Sequence, residues 1–474
     1  MNTSKKPGFD FSTKNRMMIP ITKFSVQLYW IFALVIFGTI FSSLIPPFQS
    51  PDEFDHIKRA YMLSSGQALL HTMPGASSGG NVDTGLLEYM AIFTPIPFNK
   101  NSVVSKHDID RSEKIRWQNS EKYSAAPGTG YYFPIVYVPQ AIALFAGRHL
   151  NFSVDSTYRL ARFLTLLSAI AGVVVASRIF PMNFFVISLC ILPMTIFQFC
   201  SASIDGFTTS IALICISMFM AESDKGTTQS KFAPYILSAL ILLLASCRPH
   251  LTPLLLMPVV IYFRTKRRVN LYLFVGIAVC VLLWLGYGLT YPVDLRVLRT
   301  DTTAFVLKYY LIRPRELIAV LWKTVTNTEI LKFYIKSFIG VLGWLDLELS
   351  SNFYALVSVV LTLISVATIK MPIIKSDWAI RGCLVSFSLI SVFLVFFLLL
   401  ITWTPHVAEH IQGVQGRYFL IPALLVAYSL SGYSDNVKDV RHFAALMALC
   451  FICLLIAAVI PKELLWRYYI ALKS

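Results

Sequence analysis

Apolar runs recur along this chain at lengths near the roughly 20 residues an α-helix needs to cross the hydrocarbon of a bilayer. They lie near 25–45, 157–179, 183–200, 206–222, 234–247, 250–263, 270–290, 353–370, 380–401, 417–432 and 441–460. The residues between them do not restore a soluble balance. Of 474 residues, 56% are hydrophobic and only 14% charged, and the mean hydropathy is +0.65. The residue alternation of a membrane β-barrel is absent. The chain therefore reads as an all-α polytopic membrane protein with about eleven transmembrane helices in one domain, residues 25–460.

The net charge of +16 would point to nucleic acid in a soluble protein. Here the basic residues flank the apolar runs, where they set orientation and meet lipid phosphates, so no nucleic-acid partner is expected. The leader, residues 1–24, carries Lys5, Lys6, Lys14, Arg16 and Lys23 and is placed in the cytoplasm. The apolar run after it is too long for a signal-peptide core, so an uncleaved first span is expected.

The run from Phe133 to Ala146 is ambiguous. If it crossed the bilayer, the densest basic cluster, Arg264 to Arg268, would fall outside. The run is short and contains Pro134 and Pro139, so it is read as an interfacial helix. The loops with Arg178, Lys225 and Lys231, Lys370 and Lys375, and Lys438 and Arg441 then also lie inside. The external parts are 46–156, the turns at 201–205 and 248–250, the stretch 291–352, and 402–416. The tail, 461–474, ends outside with Lys462, Arg467 and Lys473, a mild breach of the charge rule. Gly75–Gly80 reads as a flexible linker. The eight cysteines lie in apolar runs or at their ends, so no disulfide framework is implied.

Ionisable residues placed against a membrane are functional candidates by default. Ser50-Pro51-Asp52-Glu53 opens a helix just after the first span. Ser50 reads as its N-cap, with Glu53 completing a capping box. Asp52, His56 and Arg59 then follow at i, i+4 and i+7 on one face. Asp205 sits in a short turn between two apolar runs, where the competing reading is a helix cap. Arg248 and His250 share another tight turn. Gln415-Gly416-Arg417-Tyr418 opens a later span, where a guanidinium would suit a phosphate. Gly343-Trp344-Leu345-Asp346 places a further acid near the same boundary. His406 and His410 have metal-ligand spacing but no evident third ligand.

Taken together, the Pro51-Asp52-Glu53-x-x-His56 phrase, Tyr131–Gly147, Ser203-Ile204-Asp205, Gly343–Asp346 and Gln415–Phe419 resemble a large, mostly uncharacterised family of bacterial multi-pass inner-membrane proteins. The resemblance covers roughly residues 30–430. That family in turn is similar to the GT-C glycosyltransferases, which take a sugar from a polyprenyl-phosphate carrier at the outer face of the membrane. The resemblance implies a GT-C-like bundle with juxtamembrane helices in the first external loop. It implies an acidic base there, Asp52 or Glu53, and a second acid, Asp205, that binds a divalent cation (Mg2+ or Mn2+) or orients the acceptor. The expected site adds His56, Arg59, Arg248, His250, Asp346, Gln415, Arg417 and Tyr418 for substrate. The expected activity is inverting sugar transfer from a polyprenyl-phosphate donor to an envelope glycan, O-antigen or lipopolysaccharide, at the periplasmic face of the inner membrane. A flippase or transporter of lipid-linked sugars is the alternative. Transporters often carry internal repeats, and the chain has no convincing one.

Overall fold

The computed structural model describes residues 21–224, 230–296, 301–430 and 440–470. Lys5, Lys6, Lys14, Arg16, Lys225, Lys438 and Lys473, which entered the orientation argument, lie outside the described residues. Helix α1 (Ile21–Leu44) stops before Pro46-Pro47, because proline cannot continue a helix. The next region carries α2 (Glu53–Ser64), α3 (Thr84–Phe93), α4 (Lys106–Lys114) and α5 (Val138–His149), the last led by a 3-10 turn at Pro134–Tyr137. At twelve residues, α5 is about 18 Å long and too short to span.

The described residues are mostly helical, as expected of an all-α polytopic membrane protein, and the same region adds one small sheet: β1 (Gly79–Asp83) pairs antiparallel with β2 (Glu121–Ala125), Gly79 facing Ala125 and Asp83 facing Glu121. Gly79 and Gly80, read as linker, therefore belong to a strand. β1 holds a single β-branched residue, Val82, so local propensity does not announce it. Close approach of the partner selects glycine instead: a Cβ on Gly79 would lie 2.2 Å from the Ser124 carbonyl oxygen.

α6 (Val154–Ile179) starts on Ser153, whose side chain accepts the Ser156 N–H. The apolar run after it splits into α7 (Phe184–Ile191) and α8 (Pro193–Phe199). Pro193 drives the residue before it to extended backbone, and Leu192 has φ −52° and ψ 142°. α9 (Asp205–Ser223) and α10 (Ala233–Cys247) follow. A 3-10 stretch around Pro253 (Pro249–Leu256) then leads into α11 (Met257–Thr265) and α12 (Val269–Thr290). Three helices of ten to thirteen residues, α13 (Thr303–Ile312), α14 (Pro314–Thr326) and α15 (Thr328–Ile339), pack a second small core against the far end of α18 (Trp378–Thr402). α16 (Ser351–Thr368) and the short α17 (Met371–Ser376) precede α18. After it come a 3-10 turn (Gly416–Phe419), α19 (Leu420–Leu430) and α20 (Val440–Tyr469).

Among the described residues, seven helices are long and apolar enough to cross a bilayer: α1, α6, α9, α12, α16, α18 and α20. The four other runs expected to span, 183–200, 234–247, 250–263 and 417–432, are shorter helices or helices broken at Pro193, Pro253 and the Gly416 turn. The expected tail after 460 is also revised, since α20 continues through Pro461 to Tyr469.

The polar residues sort onto two ends of this bundle. At one end Arg264 pairs with Asp377 at 2.6 Å, Arg267 approaches Glu222 at 3.9 Å, and Arg381 donates to the Ser429 carbonyl at 2.9 Å. The charge pattern predicts a cytoplasmic location for every loop joined there. At the other end meet Asp52, Asp205, Arg248, Arg296 and Arg417. Cysteines introduced one at a time test the sidedness. Ser120→Cys, at an exposed position of the region expected to be external, is expected to react with a membrane-impermeant thiol reagent on intact cells. Lys266→Cys, exposed at the opposite end, is expected to react only after permeabilisation. The reverse labelling would invert the topology.

Candidate functional site

The site is built on a tight turn. The Ser50 carbonyl accepts the Glu53 N–H at 3.1 Å, and Asp52 sits in the left-handed region at φ 63°, ψ 4°. With Pro51 before it, this is a type II arrangement. Asp52 is the N-cap of α2, yet its side chain makes no capping hydrogen bond. The expected Ser50 cap is not formed. Only the return half of the box is present: Glu53 Oε2 accepts the Ser50 N–H at 3.2 Å.

Glu53, the other acid expected as a candidate base, is tied into the scaffold. It is 1% exposed. Its Oε1 accepts the Tyr158 hydroxyl at 2.9 Å and the Ala202 N–H at 2.7 Å. This ties the start of α2 to the turn that carries Asp205. Buried Arg162 of α6 reinforces the tie, donating to the Ile45 carbonyl at 2.8 Å and the Cys200 carbonyl at 2.7 Å. One side chain thus satisfies orphan carbonyls at the ends of α1 and α8, one just before each acidic turn.

Four side chains then alternate in sign. Asp52 Oδ2 accepts from Arg417 at 3.1 Å, Arg417 reaches Asp205 Oδ2 at 3.1 Å, and Asp205 Oδ1 pairs with Arg248. The other oxygen of Asp52 accepts from Arg296 at 3.3 Å. Arg417 is delivered by the 3-10 turn that opens α19, with its guanidinium 5.4 Å from the centre of the Tyr418 ring. That turn lies directly against α15: the Gly416 N–H donates to Ser337 Oγ at 2.9 Å. A Cβ on Gly416 would fall 2.0 Å from the Phe338 nitrogen, so only glycine fits. Burial raises the Asp52 carboxyl pKa, but the Arg417 and Arg296 guanidiniums outweigh it and hold the group below the usual carboxylate range. Asp52 is therefore ionised at neutral pH.

His56 is buried and shares a 2.9 Å hydrogen bond through Nδ1 with the Tyr137 hydroxyl. Burial first, opposed by Asp52 and aided by the surrounding arginines, pushes its pKa down to about 3. It acts as a neutral imidazole, not as a cation. Tyr132 lies beside it at 5.9 Å between ring centres, with Arg248 5.7 Å from the Tyr132 ring. The Gln415 carbonyl accepts the Tyr418 N–H within the turn, and its side-chain Oε1 is buried without a hydrogen bond.

Three expected substrate residues lie away from this row. Arg59 donates to the carbonyls of Gln67 at 3.1 Å and Ala68 at 2.5 Å. The i, i+4, i+7 argument fails because Asp52 is not helical, and its left-handed φ turns it off the α2 face. Asp346 is paired with Arg467 at 2.6 Å and accepts the Phe98 and Trp344 N–H groups at 3.2 and 3.1 Å. His250 is buried in the 3-10 stretch after Arg248 and makes none of the ion pairs of the row.

A divalent cation between Asp52 and Asp205 does not fit this arrangement. The Arg417 guanidinium contacts both carboxylates. No three His, Cys, Asp or Glu side chains gather as a metal set among the described residues.

Sequence reasoning missed Arg296. It is held by Asp294 at 2.7 Å and lies 5.3 Å from the Trp403 ring. Its loop is pinned to the segment that leads into β1: the Val293 N–H donates to Ser78 Oγ at 2.8 Å and the Leu295 N–H to Ser77 Oγ at 2.9 Å.

A family model described as "Predicted membrane protein (DUF2142)" matches residues 34–426. No curated protein and no solved structure matches the chain.

Proposed function

We infer that this chain, which belongs to the DUF2142 family of predicted membrane proteins, is an inverting glycosyltransferase. It moves a sugar from a polyprenyl-phosphate carrier to a hydroxyl of an envelope glycan such as O-antigen or lipopolysaccharide. The single observation that carries this reading is an ionised, partly accessible Asp52 held between the Arg296 and Arg417 guanidiniums, with the turn that delivers Arg417 also lining an apolar groove through Phe419. The groove, about 540 Å3, is lined by Leu189, Tyr334, Phe338, Leu361, Phe396 and Phe419. Phe419 follows Arg417 by two residues in the same 3-10 turn, which supports a prenyl tail in the groove with its phosphate directed toward Arg417. A second apolar groove of about 650 Å3 is lined by Leu69, Phe133, Ile142, Phe145 and Trp284; Phe133 directly follows Tyr132, and the groove suits the anchor of a lipid-linked acceptor. The positive-inside rule, applied to the Arg264–Arg268 end, supports a site at the periplasmic face of the inner membrane.

In this mechanism Asp52 accepts the proton of the acceptor hydroxyl as its oxygen attacks the anomeric carbon. The bond from that carbon to the phosphate oxygen breaks with inversion, and the polyprenyl phosphate leaves with one more negative charge. Arg417, Arg248 and Arg296 are preorganised to stabilise that charge, and a low-dielectric setting strengthens their effect. The test is release of polyprenyl phosphate from labelled carrier-linked sugars by the purified protein. Movement of the intact donor across vesicles without release would favour the flippase. Arg417→Lys keeps the charge and loses the two-pronged geometry, so it is expected to weaken donor binding about tenfold. Unchanged donor affinity would remove Arg417 from the phosphate site.

A further inference from the structure

The two oxygens of Asp52 are held by two different guanidiniums, Arg296 at 3.3 Å and Arg417 at 3.1 Å. We propose that the space between Arg296 and Arg417 is the donor's phosphate seat, that Asp52 occupies it in the free protein, and that arrival of the phosphate displaces Asp52 and so frees the base. The proposal deepens the transferase reading and rests on it for the role of the freed carboxylate.

A phosphodiester presents two non-bridging oxygens much as a carboxylate presents its pair, so it can take over both charge-assisted contacts. Each guanidinium keeps another acid when Asp52 withdraws: Arg417 retains Asp205 at 3.1 Å and Arg296 retains Asp294 at 2.7 Å. Asp52 is also the most accessible acid of the group. Its side chain is 36% exposed, against 13% for Asp205, 12% for Asp294 and 14% for Asp55. With no capping bond to α2, its departure breaks only the two ion pairs. Arg296 is set for the task by the Ser77 and Ser78 hydrogen bonds to its loop and by the Trp403 ring.

The groups around Asp52 are Asp55, His56 and Lys58 on α2, Asp205 on α9, Arg248 after α10, Asp294 and Arg296 after α12, and Arg417 before α19. Once the phosphate engages the arginines, Asp52 loses the partners that lower its pKa and gains an anion nearby. Its pKa rises and its basicity increases. The acid limb of kcat, which reports the bound state, is therefore expected at higher pH than the acid limb of kcat/KM, which reports the free protein.

The direct test is binding of a short-chain isoprenyl monophosphate, with inorganic phosphate in parallel, to the purified full chain. Asp52→Asn removes the competitor and is expected to tighten isoprenyl phosphate binding about tenfold, and Arg296→Gln to weaken it about tenfold. Asparagine tolerates the left-handed turn, and Arg296→Lys serves if the glutamine variant does not fold. Unchanged or weaker binding by Asp52→Asn overturns the exchange. Unchanged binding by Arg296→Gln or Arg296→Lys removes Arg296 from the seat. An isoprenyl phosphate that binds no more tightly than inorganic phosphate overturns a lipid headgroup as the ligand. These shifts are read without any turnover, so their failure is separate from a failure of sugar transfer.

Discussion

Asp52→Asn is expected to lower sugar transfer by about a thousandfold while leaving the protein folded, the loss typical of removing a positioned general base. The carboxylate makes no capping bond, and asparagine is among the few residues that accept a left-handed backbone. Fold and chemistry can thus be separated at this position. At the neighbouring position they cannot. Glu53 is buried and joins the Ser50 N–H, the Tyr158 hydroxyl and the Ala202 N–H, so Glu53→Gln replaces an acceptor oxygen with a donor inside the scaffold. Glu53→Gln is expected to lower thermal stability, with activity falling only as the folded fraction falls. Turnover of purified, folded protein with labelled donor decides between them. Full activity in Asp52→Asn would reject Asp52 as the base, and a stable but inactive Glu53→Gln would return the role to Glu53.

The contrast between these adjacent acids also marks what the sequence discloses. Asp52, Asp205, Arg248 and Arg417 were legible because each is an ionisable group beside an apolar run, where burial is expensive unless compensated. Their order in the chain says nothing of their contacts, yet the two-sided assortment of loops brings all four to one end. Arg296 carries no such signal. It lies in a polar stretch with other charges, and its place is set by hydrogen bonds to Ser77 and Ser78, more than 200 residues earlier. Those serines were themselves hidden in a segment read as linker. Arg59 was misplaced for a local reason: helical spacing was extended back to Asp52, one residue beyond the helix. The runs at 183–200 and 250–263 showed their length but not their breaks, because the effect of Pro193 and Pro253 depends on how neighbouring helices satisfy the interrupted backbone.

Asp346 supplies the second large effect, on stability. Its side chain and that of Arg467 are 8% and 5% exposed and lie 2.6 Å apart. Arg467 also donates to the carbonyls of Ser102 at 3.1 Å and Ile96 at 2.9 Å. It thereby fastens the end of α20 to the region after α3, and a cation consumed in a buried pair exerts little topogenic force, so Arg467 on the side expected to be external does not count against that topology. Breaking one partner of a buried pair leaves the other charge uncompensated, so Asp346→Asn and Arg467→Met are each expected to destabilise by about 3–5 kcal/mol. The double variant removes both charges and is expected to lose less than the sum, the mark of a coupled pair. Thermal unfolding in detergent measures these differences, and donor turnover by the folded fraction is expected to stay near the parent value. Lost turnover in Asp346→Asn at unchanged stability would instead make Asp346 a substrate ligand. An additive double variant would show that the two side chains act separately.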